Sequence, residues 1–247
     1  MVAILQHREL APGSTGWCVR DLDDPAIERQ WEAAALEMID GVIACNPSGP
    51  REMVPGTVGF SVGDLDNLAY RKVWDSNRYE MIRGGIAHMP PPYFEHGSCV
   101  HELLSQIRGH LCERGQRAWS SSEVDLVLSD HTMARVDGVL LLEGDMARSR
   151  RSLFAESCRL TRLTIPPTLV IESVSLGHER HDREIKPRHY ATFGVQNYWI
   201  VDAGLRSLLC LRLDGDLYVE DAEAHDIGEI HPSAFPGLTI SLKDVFF

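Results

Sequence analysis

Three side chains in this sequence have the types and spacing for phosphoryl chemistry: Asp137, Glu172 and Lys186. Asp137 opens one apolar run, Glu172 closes another, and Lys186 sits in a charged segment that leads to Tyr190. A magnesium-type cation takes hard oxygen ligands and completes its shell with water and substrate phosphate. A carboxylate inside or beside an apolar run is costly unless an ion or a basic partner compensates it. If the two strands are neighbours, both carboxylates can reach one metal at the sheet's edge, and the backbone carbonyl of Ser173 can add a ligand. Lys186, carried on the helix that follows, would orient an attacking water and offset the charge developing on phosphorus. Spacing alone also fits a plainer reading, in which Asp137 starts a turn, Glu172 pairs with Arg180 or Lys186, and nothing is catalysed. Asp182 reads as a helix N-cap or surface group, or as a group contacting the ligands from behind, and it competes with Glu184 for any metal role.

The elements that must carry these groups follow from periodicity. VDLVL at 124–128, VDGVLLL at 136–142 and TLVIESV at 168–174 read as strands, the last apolar enough to be central. His96 to Glu113 reads as a helix with Val100, Leu103, Leu104, Ile107 and Leu111 on one face. Residues 182–193 form a helix ended by Gly194, with Pro187 near its first turn. YWIVDA at 198–203 and LLCLRL at 208–213 are strands around a turn at Gly204, and LYVED and LTISLKDVF close the chain. YEMIRGGIAHMPPP at 79–92 suggests a short hairpin turning at Gly84–Gly85. Ala26 to Ile43 has the spacing of one helix, through Ile27, Trp31, Ala34 and Met38. EMIDG at 37–41 recurs as EMIRG at 80–84; chance recurrence and a duplicated opening unit are both open. The order of elements is an α/β plan.

The bulk composition sets bounds. The 247 residues, 44% of them hydrophobic, can bury one large core or one domain plus an extension. A formal charge of −12 argues against broad, charge-driven nucleic-acid binding, which needs Lys and Arg against phosphate. It leaves room for a nuclease, because an acidic cleft is where metals gather. Six cysteines with no CxxC pair fit reduced thiols and a cytoplasmic protein. The four-residue apolar start is short for a signal peptide, and no apolar stretch reaches 18 residues, so no membrane span is expected.

Other chemistry-bearing residues have weaker support. HELLS at 101–105 lacks the second histidine of a zinc-protease motif. His178, His181 and His189 have polar flanks and read as solvated. Tyr190, Tyr198 and Trp199 read as core packing. Arg148, Arg150, Arg151, Arg159 and Arg162 form a basic segment that fits either a phosphate backbone or an ordinary loop. No phosphate loop, GxGxxG or GxSxG is present.

From about Tyr79 to its end the chain resembles the Uma2 family, restriction-endonuclease-like proteins of the PD-(D/E)XK nuclease superfamily. YEMIRGGIAHMPP is similar to that family's opening hairpin, "YELIDGE…MPP", and His96 matches the histidine that follows it. VDGVLLLEGD is similar to "PDVVVV", LVIESVS to "LVVEVLS", and DREIKPRHYATFGVQNYWIVD to "D…K…Y…GV.EYWLVD". The resemblance implies that Asp137 and Glu172 are the metal-binding carboxylates and that Lys186 is the catalytic lysine, since Val174 holds the more usual lysine position. It also implies a restriction-endonuclease-like core, a central mixed sheet flanked by helices, over residues 71–247, with 1–70 as an extension. Glu80 becomes an accessory candidate near the cleft. His96 is a helix cap, a buried hydrogen-bonding residue or a phosphate contact. The departures are Val136 for proline, Arg83 for aspartate, Leu176–Gly177 for proline–serine and Asn197 for glutamate; none removes a catalytic group. The implied activity is Mg²⁺-dependent hydrolysis of phosphodiesters, with Mn²⁺ as substitute, most readily in DNA and in a homodimer. The alternatives are a silent DNA-binding or protein-interaction module on the same scaffold, and a hydrolase of small phosphoesters.

Overall fold

The computed structural model describes residues 36–39, 42–45, 52–89, 94–145, 162–174 and 179–246. These divide into two compact units, one within Met1–Met89 plus Ser129–Met133, the other within Pro90–Leu128 plus Ala134–Phe247.

In the first unit, β1 (Leu36–Ile39) and β2 (Val42–Cys45) pair antiparallel. Strands therefore replace the helix expected over 26–43 wherever that stretch is described; residues 26–35 lie outside the described residues. Of the residues that carried the helical spacing, Ile27, Trp31, Ala34 and Met38, only Met38 falls in the strands, and Asp40–Gly41 is a turn-favouring pair between two short apolar runs. Further on, Ser61 and Asp64 form a reciprocal cap on a 3₁₀ turn at Val62–Asp66, and Asn67 caps α1 (Leu68–Ser76). β3 (Tyr79–Ile82) and β4 (Gly85–His88) form the expected hairpin, with Glu80 opposite Ala87. Gly84 has φ +79°, and a Cβ there would lie 2.7 Å from the Phe60 carbonyl oxygen, so the turn needs glycine.

In the second unit, α2 (Phe94–Glu113) begins two residues before the expected start. β5 (Ala118–Ser129) and β6 (Thr132–Leu142), whose connecting residues Ser129–Met133 belong to the first unit, are longer than the apolar runs that announced them. β7 (Arg162–Leu163) pairs parallel to β5. β8 (Leu169–Ser173) is buried at every position and lies between β6, antiparallel, and β9 (Asn197–Asp202), parallel. β10 (Ser207–Asp214) and β11 (Leu217–His225) extend the sheet antiparallel. A mixed sheet with a central strand buried at every position needs cover on both faces. Leu140, Leu169, Ile171, Trp199 and Val201 pack with the α2 face, together with the closing pair β12 (Glu229–Ile230), β13 (Ile240–Ser241) and α4 (Leu242–Val245). The alternate residues Val139, Val170, Tyr198 and Ile200 pack with Tyr190 of α3 (Lys186–Phe193). This is the mixed sheet flanked by helices that the resemblance implies. Among the described residues no helix is long and apolar enough to cross a membrane.

Candidate metal and catalytic site

The site forms where β6 and β8 part. Their last registered pair is Gly138 with Ile171, one residue short of Asp137 and Glu172. Beyond it the Ser173 N–H donates to the Asp137 carboxylate at 2.8 Å rather than to a strand carbonyl. The opening is held by close packing: a Cβ on Gly138 would lie 2.6 Å from a methyl of Val100, so glycine lets α2 approach the strand that carries Asp137.

From the other side comes a wide π-type turn over His181–Ile185 that runs directly into α3. Pro187 falls at the first positions of α3, where its missing N–H costs nothing. Positions 182, 186 and 190 follow one another at helical spacing, and all three reach the core. Lys186 Nζ lies 3.0 Å from Glu172 Oε2 and 3.2 Å from Asp182 Oδ1. The Tyr190 hydroxyl donates to Glu172 Oε1, and the Tyr198 hydroxyl donates to the Asp182 carbonyl at 2.7 Å. The side chains of Glu172, Asp182 and Lys186 are 1%, 3% and 5% exposed, so this is an ion cluster shut off from bulk water.

Among the described residues, Glu172 and Asp182 pair with the Lys186 ammonium, and Asp137 lies within the field of Lys186 and Asp182. Burial raises the Asp137 pKa above its ordinary 3.8; Lys186, the Ser173 N–H and the Glu172 side chain act in the opposite direction without cancelling the effect. Burial, and then the charge of Glu172, push the Tyr198 phenol well above its usual range, which keeps it a hydrogen donor. The oxygen-only donor set of Asp137 and Glu172 fits a hard divalent cation. The Ser173 hydroxyl is buried and without a hydrogen-bond partner among the described residues, one position along β8 from Glu172 and so on the opposite face of the strand. Among the described residues no group of three or more His, Cys, Asp and Glu side chains is arranged around a metal. The expected set needs only two carboxylates and a carbonyl, with water and phosphate supplying the rest.

Asp137 also lines a cleft of about 780 Å³, together with His96, His101, Arg108, Ser121 and Glu123. The cleft puts two imidazoles and a guanidinium on the α2 wall, opposite the hydroxyls of Ser120–Ser122 on β5.

A family profile described as "Putative restriction endonuclease" matches residues 66–243, well over half the chain. The protein belongs to the Uma2 family. Among solved structures, Uma2 residues here share a fold with the protein titled a "putative nuclease belonging to DUF820" from Anabaena variabilis. The two are 20% identical, with a TM-score of 0.54, and the match covers 68% of this chain and 89% of that one. No curated protein matches the sequence.

Of the residues singled out by sequence, Asp137, Glu172, Ser173, Asp182 and Lys186 come together in the second unit. Asp182 is neither a cap nor a surface group: it is buried and paired with Lys186, because the π-type turn carries it inward. Arg180 pairs with Glu184 in solvent, not with Glu172. His181 is buried, contrary to the solvated reading, and His178 lies outside the described residues. His96 sits in the first turn of α2 and faces the cleft. Glu80 is buried in the first unit. Arg148, Arg150, Arg151 and Arg159 lie outside the described residues. The hydrogen-bonding role of Tyr190 goes beyond the packing role read from sequence; the spacing of Asp182, Lys186 and Tyr190 at four-residue steps was the signal for it.

Proposed function

We propose that this Uma2 protein is a metal-dependent endonuclease that hydrolyses phosphodiester bonds in DNA. The observation that carries the reading is the meeting of acidic and basic groups at one place: Glu172 and Asp182 both pair with Lys186, and Asp137, within reach of their charges, lines an open cleft. Asp137, Glu172 and the Ser173 carbonyl would hold Mg²⁺, with Mn²⁺ as a substitute. A bound divalent ion supplies Lewis-acid polarisation and an acidified water at such a site.

The chain's own residues do the rest. Tyr190 holds one oxygen of Glu172, leaving the other oxygen to Lys186. Asp182 fixes the Lys186 ammonium from its other side, and the Tyr198 hydroxyl fixes the turn that carries Asp182. Lys186 would orient the attacking water and stabilise negative charge developing on the phosphoryl oxygens. His96, His101 and Arg108 supply the cationic and donor wall against which a phosphate backbone would lie. Glu80 remains an accessory candidate by its family position. Residues 71–247 would form the nuclease domain and 1–70 an extension, and a two-fold homodimer would present two such clefts to the two strands of a duplex.

The test is cleavage of supercoiled plasmid and of single-stranded DNA with Mg²⁺, Mn²⁺ or EDTA. Wild type is expected to nick plasmid only with metal, and Asp137→Ala and Lys186→Ala to abolish nicking. A folded, metal-loaded wild type that cuts no substrate would leave a binding module on the nuclease scaffold. Cutting that survives both substitutions would refute the assigned site.

A further inference from the structure

The five-residue recurrence between 37–41 and 80–84 belongs to a longer one. With the same offset of 43 residues, 18 of the 40 positions in 8–47 are identical to those in 51–90. RELAPGSTGW stands against REMVPGTVGF, VRDLDDPA against VGDLDNLA, and EMIDGVIACNP against EMIRGGIAHMP. The substitutions follow the structure of the 51–90 copy. Its buried Met53, Phe60, Leu65, Trp74, Tyr79, Met81 and Ile86 correspond to Leu10, Trp17, Leu22, Trp31, Leu36, Met38 and Ile43; of the buried apolar positions only Val58 becomes polar, as Thr15. The left-handed glycines Gly56, Gly59 and Gly84 correspond to Gly13, Gly16 and Gly41. Asn67, the N-cap of α1, followed by Leu68, becomes Asp24–Pro25, a cap residue followed by the residue favoured at the first helical position.

An independent observation agrees. The β1–β2 register pairs Leu36 with Cys45, Glu37 with Ala44, Met38 with Ile43 and Ile39 with Val42. Adding 43 to each number gives the β3–β4 register, from Tyr79 with His88 to Ile82 with Gly85.

The 51–90 copy is seated within its unit on the turn between β5 and β6. The Val62 N–H donates to the Asp130 carbonyl at 2.7 Å and the Gly84 N–H to the His131 carbonyl at 2.6 Å. His131 Nδ1 donates to the Phe60 carbonyl at 2.9 Å, and Met81 pairs with Met133. These contacts are made by the seated copy's backbone; of their counterparts Trp17, Val19, Met38 and Gly41, Met38 is the one within the described residues. The chain contains one 129–133 turn and two sequences that share the pattern of the segment seated on it.

We infer that residues 8–47 duplicate the 51–90 unit and that the 36–45 hairpin is a second, exchangeable occupant of the 129–133 turn in the same chain. The connection favours the 51–90 copy, which is nearer in sequence to α2. The alternative loops out that copy, and loop-closure cost grows only with the logarithm of length. Either occupant brings a glutamate, Glu80 or Glu37, to the same strand position. The duplication is thus an intrachain switch between two equivalent hairpins, and it stands independently of the nuclease reading.

The test uses full-length chains with paired cysteines, oxidised and mapped by peptide mass spectrometry against the six native cysteines. Met81→Cys with Met133→Cys reports the seated copy. Met38→Cys with Met133→Cys reports the alternative and is expected to form as a minor intrachain crosslink. Gly84→Val, placed where glycine is required, should raise that crosslink severalfold, and adding Gly41→Val should reduce it again. Absence of the Met38–Met133 crosslink in both backgrounds, while Met81–Met133 forms, overturns the inference. So does a crosslink found only between chains, which would assign the extra copy to a dimer. A Gly84→Val chain that loses its unfolding transition also overturns it, because a working second copy would fill the vacated place.

Discussion

Lys186 Nζ bridges Glu172 Oε2 at 3.0 Å and Asp182 Oδ1 at 3.2 Å, in a place where none of the three side chains is more than 5% exposed. The lysine therefore holds the cluster together, and that role is separable from the proposed catalytic one. Removing one partner from a buried ion cluster strands the others, at a cost of about 3–5 kcal/mol. Lys186→Ala is expected to lower stability by that order and to abolish cleavage. Lys186→Met with Glu172→Gln and Asp182→Asn restores an uncharged, well-filled site. It should recover much of the stability in urea titration while remaining inactive. Recovery of both stability and cleavage would remove Lys186 from the chemistry.

Tyr190 tests how Glu172 is held. Its hydroxyl occupies one carboxylate oxygen and its ring lies 5.1 Å from that of Tyr198. Tyr190→Phe keeps the ring contact and deletes only the donor. Leaving a buried carboxylate oxygen short of a partner costs about 1–3 kcal/mol. The expected outcome is that loss of stability, with weakened Mn²⁺ uptake by calorimetry as Glu172 loses its fixed orientation. Unchanged metal affinity beside the expected stability loss would confine Tyr190 to packing.

Much of this site was legible because strands and helix faces have simple periods. The apolar run ending at Glu172, the run opening at Asp137 and the charged stretch before Gly194 placed three groups on three neighbouring elements. The inward turn of Asp182 was not legible, since it depends on one wide turn of helix over His181–Ile185, which side-chain periodicity does not encode. The 26–43 segment failed for another reason. Two four-residue strands around Asp40–Gly41 carry too few residues to separate a period of two from one of 3.6, and the decisive comparison was with residues 79–88 elsewhere in the chain.

Asp137 predicts a pH dependence. Its pKa is raised in the folded protein above the ordinary 3.8, so the folded state binds this proton more tightly than the unfolded chain does. Stability from this group therefore falls as pH rises from that ordinary value through the raised folded value, and the burial penalty is fully present above it. Metal-free Asp137→Asn should be more stable than wild type at neutral pH, and the two should converge as pH drops toward 4 in thermal melts. A divalent cation competes with the same proton, so Mn²⁺ uptake by wild type should release protons and weaken on acidification. An Asp137→Asn variant less stable than wild type at neutral pH would contradict this account.

Gly138 sets how closely α2 approaches the strand that carries Asp137. The nearest atom to an added Cβ is a methyl of Val100, at 2.6 Å, with Leu104 and Ile171 also in contact range. A methyl there overpacks the core, which typically costs about 1–3 kcal/mol. The strain also acts on the wall of the cleft, since Val100 and Leu104 line it beside Asp137. Gly138→Ala should lower the melting temperature and reduce cleavage while leaving every proposed ligand in place. Val100→Ala on the same chain makes room for the new methyl and should return part of both. If Val100→Ala makes the double variant worse in both measurements, the close approach at Gly138 does not position the site.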